Sequence, residues 1–551
     1  MTQPIPPLEL AKSILKDATA SDCRTRGELA LAARHGLKHT PYAFPTSLQY
    51  WIAYRELLDE GMPRHEGLER AMRVKDVRTD SGVAPVTVLT KPFPCPGNCV
   101  YCPTEARMPK SYISSEPAAA RALSLQFDPY EQVKQRILTL ERNGHQANKI
   151  ELIIKGGTWS FYPEDYREWF VTRCFEAANS LTPNPSPAEA REGGSLDEAQ
   201  KANETAGYRI IGLTIETRPD WITPQEVIHL RKLGVTRVEL GLQIINDRVL
   251  ELVKRGSTIA DAEKAIALLK TAGFKVDVHM LPGMPGASVE DDLESFRILF
   301  ADPRFRPDMV KIYPCVVMPG SELAAWTERG EFKPIEGYEL QELLIKMQTL
   351  VPRYCRVPRM IRDFPTQNIA YGNKESNLRE TIDSEMKRRG LRCVCLRCRE
   401  VGHMPGDHTA DKTRVFEERY ENAGGTEVFL SVENEDRSAV FGFCRLRLPS
   451  SPSPSHLEKG EGAMIYAAFP VLQGAAIIRE LHTYGTALNI DQYKEEAAQH
   501  KGYGRMLMAR AEEIAASEGC NTMAVISGIG VREYYKTLAY GERDTYMAKD
   551  L

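Results

Sequence analysis

The sequence predicts an α/β protein, a partial six-unit β/α barrel joined to a smaller α+β domain, and three observations point there. Six short apolar runs, at 86–89, 150–154, 210–215, 235–242, 276–280 and 309–313, alternate with amphipathic stretches between about 81 and 350. Such alternation builds a curling parallel sheet, and six units are fewer than the eight of a closed barrel. From about 412 the texture changes to strands at 428–432, 440–446 and 464–468, a strand-like 477–481, a helix at 502–517, a strand at 522–526, a helix at 531–538 and a final strand. At 551 residues the chain is too long for one core, which fits this division.

Residues 1–80 read as a helical segment, with helical apolar spacing at 8–18, 24–34 and 48–58,. Between barrel and α+β domain lies a linker, 351–411. Its stretch 353–399 has an excess of about seven positive charges, including Arg353, Arg356, Arg359, Arg362, Arg379, Lys387, Arg388, Arg389, Arg392 and Arg399. That asymmetry fits a phosphate-binding surface or a solvated face. Two segments rich in proline, glycine and serine, 181–196 and 448–455, read as surface loops with no chemistry,.

The formal net charge is −4, so no global field selects a partner and any nucleic-acid surface must be local. Twelve cysteines are too sparse for a disulfide scaffold, and six of them form two tight groups. That usage expects metal binding in a reducing compartment. The first residues lack the pattern of a signal peptide, and no apolar run approaches a membrane span,. A cytoplasmic protein with no membrane partner is the expectation.

Chemistry concentrates in a few motifs. Cys95, Cys99 and Cys102 stand at C-x3-C-x2-C spacing directly after the first barrel strand. Three loop thiolates can ligate three irons of a [4Fe–4S] cluster and leave the fourth open, with a zinc knuckle as the alternative. Gly156 and Gly157 follow the second strand and Glu216 and Arg218 the third, at the edge where such barrels gather their functional groups. Gln499, Gly502 and Gly504 form Q-x-x-G-x-G at the start of a helix, with Tyr503 and Arg505 between and after the glycines. Free N–H groups there can hold a pyrophosphate. Cys393, Cys395 and Cys398, with His403 five residues on, have the make-up of a structural Cys3His zinc site,.

The cysteine triad resembles the cluster motif of the radical S-adenosylmethionine (SAM) superfamily, and Gly156-Gly157-Thr158 its motif for the SAM amino group. Gln499 to Arg505 resembles the acetyl-CoA loop of the GNAT acetyltransferases, in which a tyrosine at the place of Tyr534 or Tyr535 lies near the thioester. Both together, with Thr214–Asp220, Arg479-Glu480-Leu481-His482 and 524–530, resemble the catalytic subunit of the Elongator complex and its stand-alone bacterial and archaeal relatives. That resemblance implies a radical SAM barrel fused to a GNAT domain. It also implies SAM, acetyl-CoA and tRNA as cofactors and substrate, with an electron donor for the cluster. The product it implies is 5-carboxymethyluridine at the wobble position. An adenosyl radical would take hydrogen from the acetyl methyl group, the carbon would add to uracil C5, and thioester hydrolysis would release CoA.

By the same resemblance Lys149 stands at the acetyl-CoA site, although alone it reads as a solvated lysine at a loop end. Glu480, Leu481, His482 and Thr483 match an acetyl-CoA-binding strand, Tyr503, Gly504 and Arg505 the pyrophosphate loop, and Tyr535 a contact near the thioester. Zinc would brace the linker, so that its arginines present a tRNA surface, with the N-terminal helices adding to it. The chain would act as a stand-alone monomer or a homodimer. Two other readings stay open: a protein lysine acetyltransferase with Glu480 as its base, which predicts that Cys99→Ser is harmless, and a non-catalytic tRNA-binding scaffold, which predicts no SAM cleavage.

Overall fold

The computed structural model describes residues 4–73, 82–182, 185–186, 189, 191–403, 413–449, 460–484 and 502–551. Its larger sheet holds six parallel strands in sequential order: β1 (Ala84–Leu89), β2 (Lys149–Lys155), β3 (Arg209–Thr217), β4 (Arg237–Gln243), β5 (Lys275–Met280) and β6 (Met309–Ile312). Alternate residues of each strand face opposite ways. On β2, Ile150, Leu152 and Ile154 turn outward into a core with Val133, Ile137, Phe170 and Phe175 of the covering helices. The residues between them face the concave side. Helices fill each crossover, and several start on capping boxes, as at Ser195, Thr258 and Ser288,.

The second sheet has seven strands, β7 (Thr413–Asn422), β8 (Gly425–Asn434), β9 (Val440–Leu448), β10 (Ala476–Thr483), β11 (Thr522–Val525), β12 (Gly541–Arg543) and β13 (Tyr546–Asp550), in the order β12-β13-β11-β10-β9-β8-β7. All neighbours are antiparallel except β10 and β11. Helix Tyr503–Ser517 covers one face through Leu507, Met508, Ala511 and Ile514.

Four N-terminal helices, Leu8–Ala20, Arg26–Gly36, Ser47–Asp59 and Glu66–Met72, form a separate core around Ala11, Ile14, Tyr54 and Leu57. Three of them match the expected spans and the fourth was missed. One expected strand is wrong: 464–468 lies in the helix Gly462–Ala468, against Pro224–Lys232. A five-residue apolar run carries no period that separates strand from helix. The loop residues 183–184, 187–188, 190 and 450–459 lie outside the described residues.

The two sheets are welded together at the N-terminal ends of the barrel strands. Arg479 of β10 donates bidentately to Asp308, just before β6, at 2.9 and 2.6 Å, and also to Glu427 at 2.7 Å and to the Phe274 carbonyl at 2.9 Å. Lys270 and the Val276 N–H reach the same Asp308 carboxylate, each at 2.9 Å. Arg445 ties β9 to the Tyr354 carbonyl at 2.7 Å, and Arg231 of the barrel donates to the Ser527 carbonyl at 3.0 Å. Gly528 lies so close to β3 that a Cβ there would sit 2.1 Å from the Ile211 carbonyl oxygen. Glycine in the 524–530 motif thus serves domain contact.

Candidate functional sites at the two ends of the barrel

The triad Cys95, Cys99 and Cys102 occupies the loop after β1, at the C-terminal edge of the sheet, with all three side chains partly exposed. Their sulfurs are not among the sets within 4.8 Å of one another, whereas those of Cys393, Cys395 and Cys398 are. A tetrahedral zinc with Zn–S near 2.3 Å brings its sulfurs to about 3.8 Å from each other. The compact set therefore suits one ion and the wider triad suits a cluster, in which each thiolate takes its own iron. Burial pushes the Cys102 thiol up to about 12, so a bound cation is what would make it a thiolate.

Around the triad the backbone makes room. Gly156 and Gly157 have φ of +148° and +89°, and a Cβ on Gly156 would lie 1.8 Å from Thr90 Oγ1. Thr90 is itself bonded to the Tyr162 hydroxyl at 2.8 Å. Gly156→Ala is expected to cost on the order of 1–3 kcal/mol in strain; in the SAM-holding role that its motif implies, it would also weaken SAM binding about tenfold or more, measurable by equilibrium dialysis on the cluster-loaded protein. Arg218 is held by Asp220 at 2.9 and 2.8 Å, and its buried Nη1 has no hydrogen-bond partner. That nitrogen lies over Gly97 in the cysteine loop, where an anionic ligand would satisfy it.

Glu216 opens a chain of charges that runs down the inside of the barrel. Tyr112 donates to it at 2.6 Å and Lys155 lies at 3.4 Å. Burial alone would raise the Glu216 carboxyl, but Lys155 and His279 outweigh it and hold it at about 2. Lys155 also reaches Glu239, which is bonded to Lys311 at 2.5 Å and His279 at 3.1 Å. Contacts between β2 and β4 side chains, across β3, require both to point into the bore. Lys311 lies 3.4 Å from Asp277, whose two oxygens are buried without a hydrogen-bond partner. Below it Arg237 pairs with Glu151 at 2.8 Å.

The lower mouth of the bore opens on β10. Lys275 of β5 pairs with Glu480 at 3.3 Å, and Arg445 grips the same carboxylate at 2.9 Å. Burial opposes ionisation, yet Lys275 and Arg445 hold Glu480 at about 2. A carboxylate so clamped is a poor proton acceptor, which counts against it as the base of a lysine acetyltransferase. His482 stacks on Phe443, and burial pushes its imidazole down, towards the neutral form. Lys149 starts β2 at this end, in register with Arg209, and among the described residues it has no ionic partner. Burial lowers its ammonium.

β10 pairs with β11 over only three rows, Ala476–Ile478 with Met523–Val525, and carries a bulge between Ile478 and Glu480. Beyond those rows Glu480 to Thr483 pair only with β9 among the described residues, and no described strand lies along their other edge. Gly502 takes φ +76° before helix Tyr503–Ser517, and no side chain among the described residues caps that helix, whose first N–H groups can hold an anion. Tyr503 is buried, Gly504 partly so and Arg505 exposed. The Tyr534 hydroxyl lies 2.8 Å from where a Gly504 Cβ would be, whereas Tyr535 is 6% exposed within the core of this domain. Gln499 lies outside the described residues.

In the linker, Arg379 donates to Cys398 Sγ at 3.4 Å. Thiol hydrogens of Cys393 and Cys398 pull Cys395 well below its ordinary range, a donor set poised for a cation. The His403 side chain lies outside the described residues. The expected arginine surface is largely spent inside the fold: Arg356 pairs with Glu400 at 2.8 Å, Arg399 with Glu433 at 2.8 Å, Arg389 with Glu342 and Glu385, and Arg362 with Ser111 at 2.7 Å. Those acids lie mostly outside the stretch whose charge was counted. Lys387 and Arg388 remain exposed.

No motif marks the bore in the sequence: Lys155, Glu239, Asp277 and Lys311 stand on separate strands and meet only once those strands are ordered.

Comparison with known proteins agrees with this geometry. Residues 94–299 match the model of the radical SAM superfamily, 307–388 that of the radical SAM C-terminal domain, and 402–540 that of the acetyltransferase (GNAT) family. The chain is 44% identical to a tRNA uridine(34) acetyltransferase of Methanocaldococcus infernus, over 87% of this chain and 88% of the relative. It is 40% identical to one of Dehalococcoides mccartyi, over 86% and 99%, and 35% identical to Elongator complex protein 3 of Homo sapiens, over 94% and 92%. The solved structure of the archaeal Methanocaldococcus infernus Elp3 with an N-terminal deletion superposes with a TM-score of 0.72 at 41% identity, covering 85% of this chain and 99% of that one. The chain therefore belongs to the family that holds the tRNA uridine(34) acetyltransferases and Elongator complex protein 3.

Proposed function

We propose that this chain is a tRNA-modifying enzyme of the acyltransferase class that makes 5-carboxymethyluridine at the wobble uridine. The observation that carries the reading is the charged bore, which joins Glu216 beside the cysteine loop to Glu480 on β10. A lone acetyltransferase has no use for a polar path into a barrel. Relatives named for tRNA uridine(34) support the substrate.

Cys95, Cys99 and Cys102 hold a [4Fe–4S] cluster in this reading, and Gly156, Gly157, Glu216 and Arg218 hold SAM at its open iron. Backbone groups of Glu480 to Thr483 pair with the pantetheine amides, while Gly502 to Arg505 hold the pyrophosphate. When bound, cluster and SAM supply a 5′-deoxyadenosyl radical and acetyl-CoA supplies the two-carbon unit. Lys149 and Tyr534 would face the thioester, where a lysine with lowered basicity and a hydroxyl beside Gly504 would orient the water that releases CoA. Tyr535 props Tyr534, their rings 5.3 Å apart edge to face. Cys393, Cys395 and Cys398 hold zinc, which metal analysis will read as one ion per chain beyond the cluster iron. Exposed Lys387 and Arg388 and the N-terminal helices contact tRNA.

The test is anaerobic incubation of reconstituted protein with dithionite, SAM, acetyl-CoA and unmodified tRNA, followed by nucleoside mass spectrometry. Formation of 5′-deoxyadenosine together with 5-carboxymethyluridine is the expected result. If neither appears while the cluster and both cofactors are bound, the reading fails.

A further inference from the structure

Two side chains that no motif identifies converge on one of the cluster cysteines. Arg255, 7% exposed, directs Nη1 at Cys99 Sγ from 3.7 Å and anchors Nη2 on the Gly241 carbonyl at 2.6 Å. It follows helix Asp247–Leu252, and its N–H bonds back to the Leu250 carbonyl at 2.9 Å, so the side chain is aimed by the β4 crossover. Tyr101, between Cys99 and Cys102 in the loop, has a buried hydroxyl with no oxygen or nitrogen partner among the described residues; the two cysteine sulfurs and Arg255 are its neighbours. Val100 beside it is fully buried and its N–H bonds to the Val253 carbonyl at 3.1 Å, which fastens the cysteine loop to the segment carrying Arg255. No carboxylate forms an ion pair with Arg255 among the described residues; Asp220 acts on its charge from farther off and is itself held by Arg218 at 2.9 and 2.8 Å. A fully charged guanidinium is therefore buried with a cysteine sulfur and a carbonyl oxygen for partners.

A buried cation without a counterion is costly, and the Cys99 thiolate is the group that would offset it. Hydrogen bonds and positive charge at a ligating sulfur stabilise the more negative, reduced form of an iron–sulfur cluster. We propose that Arg255, seconded by Tyr101, is a positioning residue that acts through Cys99 to raise the reduction potential of the cluster. A one-electron donor can then reduce it more readily in the closed, apolar surroundings of Val100, Val253 and Leu323. This rests on the reading that Cys95, Cys99 and Cys102 hold a cluster.

The test is a redox titration followed by electron paramagnetic resonance on reconstituted wild type, Arg255→Met, Arg255→Lys and Tyr101→Phe. In Arg255→Met the ratio of reduced to oxidised cluster at a fixed poise should fall about tenfold, a downward shift of about 59 mV for a one-electron couple. Arg255→Lys should recover most of the loss, and Tyr101→Phe should shift the same way by less. If Arg255→Met fails to hold iron, Tyr101→Phe decides. An unchanged midpoint in Arg255→Met or Tyr101→Phe with full iron content overturns the proposal, since Arg255→Lys is expected to stay close to wild type. A wild type with no reducible cluster overturns the functional reading instead, so the two failures are distinguishable.

Discussion

Replacing Cys99 by serine is expected to abolish both 5′-deoxyadenosine formation and wobble-uridine modification while leaving acetyl-CoA binding intact. In the proposed reading the three cysteines each supply one iron ligand on a short loop, and loss of one would leave a cluster with two. The GNAT sheet lies at the opposite end of the barrel, and its fold does not depend on that loop: its core is made by Val428, Leu430, Ile478, Leu507 and their neighbours. Iron content and electron paramagnetic resonance report the first effect, and isothermal titration with acetyl-CoA the second. Acyl transfer to a protein substrate that survives the substitution would restore the lysine acetyltransferase reading.

The second large effect concerns the weld between the sheets. Asp308 and Arg479 are fully buried. Burial opposes the Asp308 charge, but Arg479 and Lys270 overcome it and hold the carboxyl well below the ordinary range. Asp308→Asn leaves two buried cations facing Glu427 alone, and removing one partner of a buried pair costs about 3–5 kcal/mol. Urea denaturation should show that loss near neutral pH. The sign with pH follows from the depressed folded value: the stabilisation is present above the unfolded value of about 4 and is lost as pH falls below it. Wild type should therefore lose stability on acidification more steeply than Asp308→Asn. Equal slopes would mean that Asp308 is not ionised in the fold.

Local spacing made the two candidate loops legible. Cys95 to Cys102 and Gly502 to Arg505 each carry their chemistry within eight residues, and Gly156 and Gly157 announce a positive φ that only glycine tolerates well,. The bore was hidden because its pairs are long-range: Lys155 meets Glu239 and Lys275 meets Glu480 only once the strands are ordered in space. Read singly, Asp277 or Lys311 is an ordinary charge in a strand. The arginines of the linker misled for the mirror-image reason, since Glu400, Glu433 and Glu342 cancel them from other segments. β7, with Glu417, Glu418, Arg419 and Glu421 among its ten residues, hides its alternation under charge. Tyr534 and Tyr535 are adjacent in sequence, and only packing separates a tyrosine beside Gly504 from one in the core.

In the proposed reaction both ends of the barrel serve one chemistry. The most direct measurement uses acetyl-CoA deuterated in its methyl group, with SAM, dithionite and unmodified tRNA under anaerobic conditions. Mass spectrometry should find one deuterium transferred into 5′-deoxyadenosine and two retained in the carboxymethyl group of the modified nucleoside. Unlabelled 5′-deoxyadenosine, or label recovered only as free acetate or on protein, would contradict it.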